Sequence, residues 1–418
     1  MAELGGYKGK VLRIDLNRRE ANIIELEKKL VLGFLGGRGF NSKRLYDEVG
    51  PGTDPFGPGN KLFFATGPLV GTMFPTACRF NVSAKSPQTG ILGDSNAGGH
   101  FAAEMKFAGY DQIVLEGRSP ELVYIFVNDD NIELRDASHL AKKDAYETDE
   151  IIKADIGDRR IQTAVVGPAA ENGVRFAGIY ANLMRAAART GMGSVMASKG
   201  VKAIALRGTG SVEVSNPKMF ERLVEQIEEE IRSHEQYWPR RSMGTTRILM
   251  MANAAGFLPT RHYMAGTFEH AFEVSGERLA EEFNVKTRGC FACTIPCSRF
   301  YSVREGKFRG LYGEGPEYEA LGSFTSRVGN HNLELALKAN DLCNRLGIDA
   351  LTVGESISWA MELYERKMLS QEEADGLDLS WGNGESILTL IENIAFRNGF
   401  GDVLADGTVA AAKKLGRG

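Results

Sequence analysis

The pattern of apolar and polar positions changes rhythm near residue 210. Before it, short β-branched or aromatic runs are punctuated by glycine, which is strand-and-turn grammar. The spacing predicts strands at 11–16, 61–65, 79–84, 112–115, 122–127, 163–166 and 202–206. After Ser215-Asn-Pro217 the apolar residues recur three and four apart, predicting helices over 220–231, 333–346, 353–369 and 386–396. Asn216 can cap the first of these, with Pro217 accommodated in its first turn. The stretch 236–267 mixes aromatic, methionine and basic positions without either period. The fold class expected is therefore α+β, with a β-rich domain over 1–210 and a mainly helical domain over 211–418.

A chain of 418 residues has ample material for two or three such domains. Its formal charge of -4, with acidic and basic residues interspersed, provides no footprint for nucleic acid. The expected partner is a small molecule or another protein. No run approaches the roughly 20 apolar residues that cross a bilayer, and the first residues lack the apolar core of a secretory signal. A cytoplasmic location is expected. Five cysteines, three of them clustered, are not a disulfide framework and fit a reducing compartment.

That cluster, Cys290-Phe-Ala-Cys293-Thr-Ile-Pro-Cys297, carries the most specific chemistry. Soft thiolates so closely spaced converge on a metal or an iron–sulfur cluster. No histidine or cysteine follows closely enough to complete a compact zinc knuckle, so iron–sulfur outranks zinc. Cys78 and Cys343 read as small buried hydrophobes. Three glycine-rich passages, Gly36-Gly-Arg-Gly39, Asn96-Ala-Gly-Gly99 and Arg185 to Gly193, let backbone amides approach an anion beside an arginine. Singly each reads as a tight turn, and together they point to phosphate. Arg79 opens a strand from which its guanidinium can reach a cleft; alone it reads as a surface cation.

The ordered set of Arg13-Ile-Asp-Leu16, Gly36 to Gly39, Thr66-Gly-Pro68, Arg79-Phe-Asn81, Asn96 to Gly99, Arg185 to Gly193, the cysteine cluster and Gly315-Pro-Glu-Tyr-Glu319 resembles the tungsten-containing aldehyde:ferredoxin oxidoreductase family nearly end to end. The resemblance implies tungsten, or less often molybdenum, held by two pterin dithiolenes beside a [4Fe-4S] cluster, with the N-terminal β-rich domain as a base beneath the pterins. It places Arg79, Asn96, Ala97 and Gly98 on the cofactor and Arg185, Ala186 and Ala187 on its phosphates. The carbonyls of Asn96 and Ala186 would hold a bridging magnesium. Cys290, Cys293 and Cys297 would hold the cluster. The family's pterin motif stands here as Asn344-Arg-Leu-Gly347-Ile348-Asp349, with Asn344 in place of the usual Asp, which exchanges a pure acceptor for an amide. The same residues read as a helix end with Gly347 as its cap. Glu319, and less strongly Glu317, would be the carboxylate beside the metal.

Family members are longer, so the sequence is expected to be a fragment, with a partner-completed enzyme and a reduced relative as alternatives. The part beyond normally supplies a second pterin motif, the fourth cluster cysteine and a histidine. Cys343 could replace that cysteine on spacing. None of the six histidines has a matching context. The resemblance implies aldehyde oxidation with electrons leaving to ferredoxin or an iron–sulfur partner subunit, in a homo- or hetero-oligomer. A tungsten-bearing benzoyl-CoA reductase type of reductive subunit and a non-catalytic iron–sulfur or zinc scaffold are the alternatives.

Overall fold

A computed structural model describes residues 5–416. The fold is α+β, and it divides into two compact units. The first runs through Arg232 and takes in Cys290–Thr294; the second comprises Ser233–Gly289 and the chain from Ile295 onward.

The first unit is built on two six-stranded mixed sheets. One contains β1 (Lys10–Asp15), β2 (Glu20–Glu25), β3 (Leu62–Thr66), β4 (Phe80–Lys85), β5 (Leu92–Ala97) and β6 (Gln112–Glu116), in the order β2-β1-β6-β3-β4-β5. The other contains β7 (Val123–Asn128), β8 (Asn131–Asp136), β9 (Gln162–Val165), β10 (Ile179–Ala181), β11 (Arg185–Ala187) and β12 (Val201–Arg207), in the order β11-β10-β9-β12-β7-β8. The strands expected at 61–65, 79–84, 112–115, 122–127, 163–166 and 202–206 are all present within about a residue. Central strands such as β3 are buried on both faces, which is why the sequence of β3, Leu-Phe-Phe-Ala-Thr, is a continuous apolar run up to its final threonine rather than alternating. The edge strands β5 and β11 touch one another. A wholly buried ion pair, Lys106 with Asp111, fixes the segment leading into β1: Lys106 Nζ donates to the Gly6 carbonyl at 2.8 Å, and Asp111 accepts the backbone N–H groups of Lys8 at 2.9 Å and Gly9 at 2.7 Å.

The second unit is mainly helical, around Leu333–Leu346, Ala350–Glu365 and Gly384–Phe396. Against them lie the short helix Tyr318–Phe324 and a three-stranded antiparallel sheet of β13 (Asn284–Arg288), β14 (Ser298–Ser302) and β15 (Tyr312–Glu314). The helix expected at 333–346 has those bounds, opened by Asn332, whose Oδ1 accepts the Leu335 N–H at 3.1 Å. The one expected at 353–369 begins earlier, at Ala350, because Asp349 caps it. It ends earlier, at Glu365, where Lys367 turns left-handed at φ 59° and the Met368 N–H folds back to the Leu363 carbonyl. The Asn216 cap is also present: its Oδ1 accepts the Met219 N–H at 3.1 Å, and the helix Pro217–Ser233 follows.

Candidate functional site

On the β-rich unit the candidate residues collect at the touching sheet edges. Strands β4 and β5 pair with Phe80 opposite Ala97 and Asn81 opposite Asn96, so Arg79 and the 96–99 turn emerge side by side. Arg79 lies along that turn: its Nε donates to Asn96 Oδ1 and its Nη2 to the Asn96 carbonyl at 3.2 Å. Beneath, a buried amide network holds the pair in register. Asn41 Nδ2 donates to the Phe63 carbonyl at 3.0 Å and to Asn81 Oδ1 at 2.8 Å, Gln112 Nε2 donates to Asn41 Oδ1 at 2.9 Å, and Asn81 Nδ2 reaches the Ser95 carbonyl at 3.0 Å. Such a network specifies a single arrangement because every misplacement strands a buried polar atom.

The 185–187 strand closes the other side. Asn182, in the β10–β11 turn, accepts the N–H groups of His100 at 2.8 Å and Phe101 at 3.3 Å, binding that hairpin to the 96–99 turn. Gly99 sits at φ 99°, and a Cβ there would meet Asn182 Oδ1 at 2.5 Å and Arg185 Cγ at 3.1 Å, so glycine is what allows the close approach. The Gly36-Gly-Arg-Gly39 passage also proves to be a close-approach turn. A Cβ on Gly36 would meet the Thr66 carbonyl at 2.9 Å, and Gly37 N–H donates to that carbonyl at 3.0 Å.

Two of the clustered thiols pack onto this base. The Phe291 N–H donates to the Gly99 carbonyl at 3.1 Å, and the Phe291 ring lies edge-on to Phe107 at 5.5 Å. Cys290 Sγ is thereby set 2.9 Å from where a Cβ on Gly98 would stand. The Cys290 thiol is held down at about 6, chiefly by a hydrogen bond from Cys78. Burial opposes the shift, and Arg185, a backbone hydrogen bond from Gly99 and Arg79 assist it. These contacts favour the thiolate of Cys290, the form that ligates metals. Cys78 is buried, as expected of a small hydrophobe, but it also hydrogen-bonds both Cys290 and Cys293, and these contacts, followed by burial, keep it protonated.

In the helical unit, Cys297 and Glu317 are tied together by a residue that the sequence does not single out. Arg299, 1 % exposed, donates through Nη1 to the carbonyls of Met243 and, at 3.0 Å, Cys297, and through Nη2 to that of Pro316 at 2.8 Å. Burial pushes its guanidinium down, and Glu317 is the first of the anions that pull it back. Gly244, at φ 59°, makes room: a Cβ there would lie 2.1 Å from both Arg299 Nη1 and the Cys297 carbonyl. Glu317 accepts from Thr245 Oγ1, which in turn accepts the Tyr318 N–H at 2.8 Å. Glu319 is exposed in the first turn of Tyr318–Phe324.

Around Glu319 the irregular 236–267 stretch contributes more than its sequence discloses. Arg261, His262 and Tyr263 are all left-handed, held by N–H donations from Arg261 to the Ser326 carbonyl at 2.9 Å and from His262 to the Arg327 carbonyl at 3.1 Å. Tyr263 then lies under Arg327, 5.3 Å from ring centre to guanidinium, and within the field of Glu319. His262 sits between Glu362, at Nδ1, and Glu355, 3.3 Å from Nε2. Burial works against the charged imidazole, but hydrogen bonds to Glu355 and then Glu362 prevail and raise it above the ordinary 6.5.

Asn344 is buried in the last turn of Leu333–Leu346. Gly347 terminates that helix at φ 74°, Ile348 is wholly buried, and Asp349 caps the next helix through Leu351 N–H and Thr352 N–H, each at 3.2 Å. Cys343 is fully buried in the same helix, and burial pushes its thiol well up.

Both halves of the chain have counterparts among known proteins. Residues 11–208 match the family model for the N-terminal domain of aldehyde ferredoxin oxidoreductase, and residues 222–418 match the model for its domains 2 and 3. The tungsten-containing aldehyde ferredoxin oxidoreductase of Pyrococcus horikoshii is 41 % identical over 98 % of this chain and 68 % of its own length. The WOR-like subunit of an aliphatic sulfonate oxidoreductase from Pyrococcus furiosus is 28 % identical over 98 % of this chain and 67 % of its own. Among solved structures, a chain of the active-site complex BamBC of benzoyl-coenzyme A reductase, bound to 1,5-dienoyl-CoA, superposes with a TM-score of 0.88 at 31 % identity, over 99 % of this chain and 64 % of that one. The chain thus spans about two thirds of the proteins it matches. With both halves accounted for in order by that one family, the chain belongs to the aldehyde ferredoxin oxidoreductases, a family of oxidoreductase enzymes.

Proposed function

We propose that this protein oxidises an aldehyde and water to a carboxylate at a tungsten bis-pterin centre, and that the two electrons leave through a [4Fe-4S] cluster to ferredoxin. The observation that carries the reading is Cys290 Sγ lodged against Gly98, in the field of Arg185 and Arg79. Soft sulfur and paired guanidiniums in one place fit a redox cluster beside an anionic, phosphate-bearing cofactor. The bound metal would supply two-electron redox chemistry.

This chain's own residues would do the rest. Arg79, Asn96, Ala97 and Gly98 would seat one pterin, with Arg185, Ala186 and Ala187 on its phosphates and the carbonyls of Asn96 and Ala186 toward magnesium. Asn344, Gly347, Ile348 and Asp349 would border a pterin edge. Cys290, Cys293 and Cys297 would ligate the cluster, with Arg299 fixing the Cys297 backbone. The reaction releases three protons with its two electrons, and Glu319 would accept the first, with Glu317 as the lesser candidate. A second reading, a reductive subunit acting on an aromatic coenzyme A thioester, is favoured by the close superposition on the benzoyl-coenzyme A reductase chain.

The test is electron transfer in protein purified anaerobically from tungstate-supplied cells. Aldehyde-dependent ferredoxin reduction, reduced at least roughly a hundredfold in Glu319→Gln, is expected. Dienoyl-CoA oxidation without aldehyde turnover would transfer the assignment to the second reading.

A further inference from the structure

His270, Glu273 and His331 come together on the helical unit, apart from every residue used above. His270 and Glu273 are brought to one side by the single 3₁₀ turn Ala271–Val274, and His331 enters just before the helix Leu333–Leu346. Their donor atoms all lie within 4.8 Å of one another. His270 Nδ1 stands 2.8 Å from Glu273 Oε1 and His331 Nδ1 stands 3.1 Å from Glu273 Oε2, so one carboxylate faces both imidazoles. The two rings are 4.6 Å apart, and His270 is steadied edge-on by Phe268 at 5.7 Å.

A tetrahedral ion with ligand bonds of about 2.0–2.1 Å needs donors about 3.3 Å apart. The two histidine–carboxylate separations are already near that length. Bringing the imidazoles together requires a shift of at most about 1.5 Å, which side-chain rotation of partly exposed residues provides. The surroundings favour a cation. Glu273, Glu282 and Glu334 line a cavity of about 370 Å³ with Arg278 and His331. Arg278 is neutralised by Glu282 through bonds of 2.6 and 2.7 Å, and its Nη1 also holds the Glu273 carbonyl at 3.3 Å. Two imidazoles and one carboxylate select a borderline ion of the zinc class over magnesium or calcium, which prefer oxygen alone.

We infer that His270, Glu273 and His331 form a binding site for a zinc-class divalent ion, with a fourth position left to water. In the ion's absence each imidazole faces Glu273 through Nδ1; ligation through that atom leaves the ring proton on Nε2.

Calorimetric titration of the holoenzyme, its iron and tungsten already loaded, with zinc chloride tests this. One zinc per chain is expected, not displaced by excess magnesium. The affinity should fall roughly tenfold or more in both His331→Ala and Glu273→Gln, with unfolding midpoints and tungsten content unchanged. No zinc uptake, or uptake equally strong in both variants, overturns the assignment. Should His331→Ala unfold, Glu273→Gln alone decides by the same criterion.

Discussion

The two units hold their candidate residues by different means. In the β-rich unit the holding is done by main chain and neutral amides: strand register sets Arg79 beside the 96–99 turn, Asn41, Asn81 and Gln112 lock the register, and Gly98 and Gly99 admit the thiol and the Asn182 hairpin. In the helical unit it is done by half-buried or buried charge: Arg299 gathers three carbonyls, and His262 bridges two glutamates. The difference teaches where damage spreads. Removing a buried charge strands its partners across several elements, whereas filling a glycine's space displaces only the atoms that face it.

Arg299→Leu should therefore have the largest effect. It strips the Met243, Cys297 and Pro316 carbonyls of their donor, at roughly 3–5 kcal/mol of unfolding free energy measured by urea titration. A loss below about 1 kcal/mol would show that these carbonyls find other donors and would break the contrast.

Gly98→Ala should be milder and local. The added methyl stands 2.9 Å from Cys290 Sγ and must push it aside, so iron content should fall while stability stays within about 1–2 kcal/mol of wild type. Full iron content would mean that this thiol is not fixed by the turn.

The smallest effect is confined to a pH range. His262 is raised above its ordinary 6.5 by Glu355 and Glu362, so its contribution to stability is complete below that value and disappears as pH rises through the raised one. Thermal melts of His262→Gln against wild type should differ most at acidic pH and converge in alkali. A constant difference would assign the residue to packing rather than charge.

How much of this is legible in the sequence follows the same division. Local rules reach seven of the strands, whose apolar runs and glycine punctuation place them within about a residue, but not β2, β5, β8, β10 or β11, which are short, polar or exposed; they also reach the long helices of the second half, whose period and caps such as Asn332 and Asn216 are local signals. The glycine turns are likewise visible, because a motif of small residues announces close approach. Contacts between distant segments are not. Nothing near Cys78 tells that it meets Cys290 and Cys293, and nothing near Arg299 tells that it reaches Met243 and Pro316. The left-handed run Arg261 to Tyr263 is unreadable for the same reason: its conformation is imposed by carbonyls of Ser326 and Arg327, against the intrinsic preference of all three residues. The asparagine at 344 is plain in the sequence, whereas its burial in the last turn of Leu333–Leu346 is a tertiary outcome.

The central claim is that Cys290 and Cys293 belong to a redox centre seated on the Arg79 and 96–99 base. Metal analysis with Mössbauer spectroscopy, on protein purified anaerobically from tungstate-supplied cells and on its Cys293→Ala variant, tests it most directly. The account predicts about four irons as a single cluster together with tungsten in the wild type, and iron lost in the variant. Zinc in place of iron and tungsten, or a cluster untouched by the substitution, would contradict it.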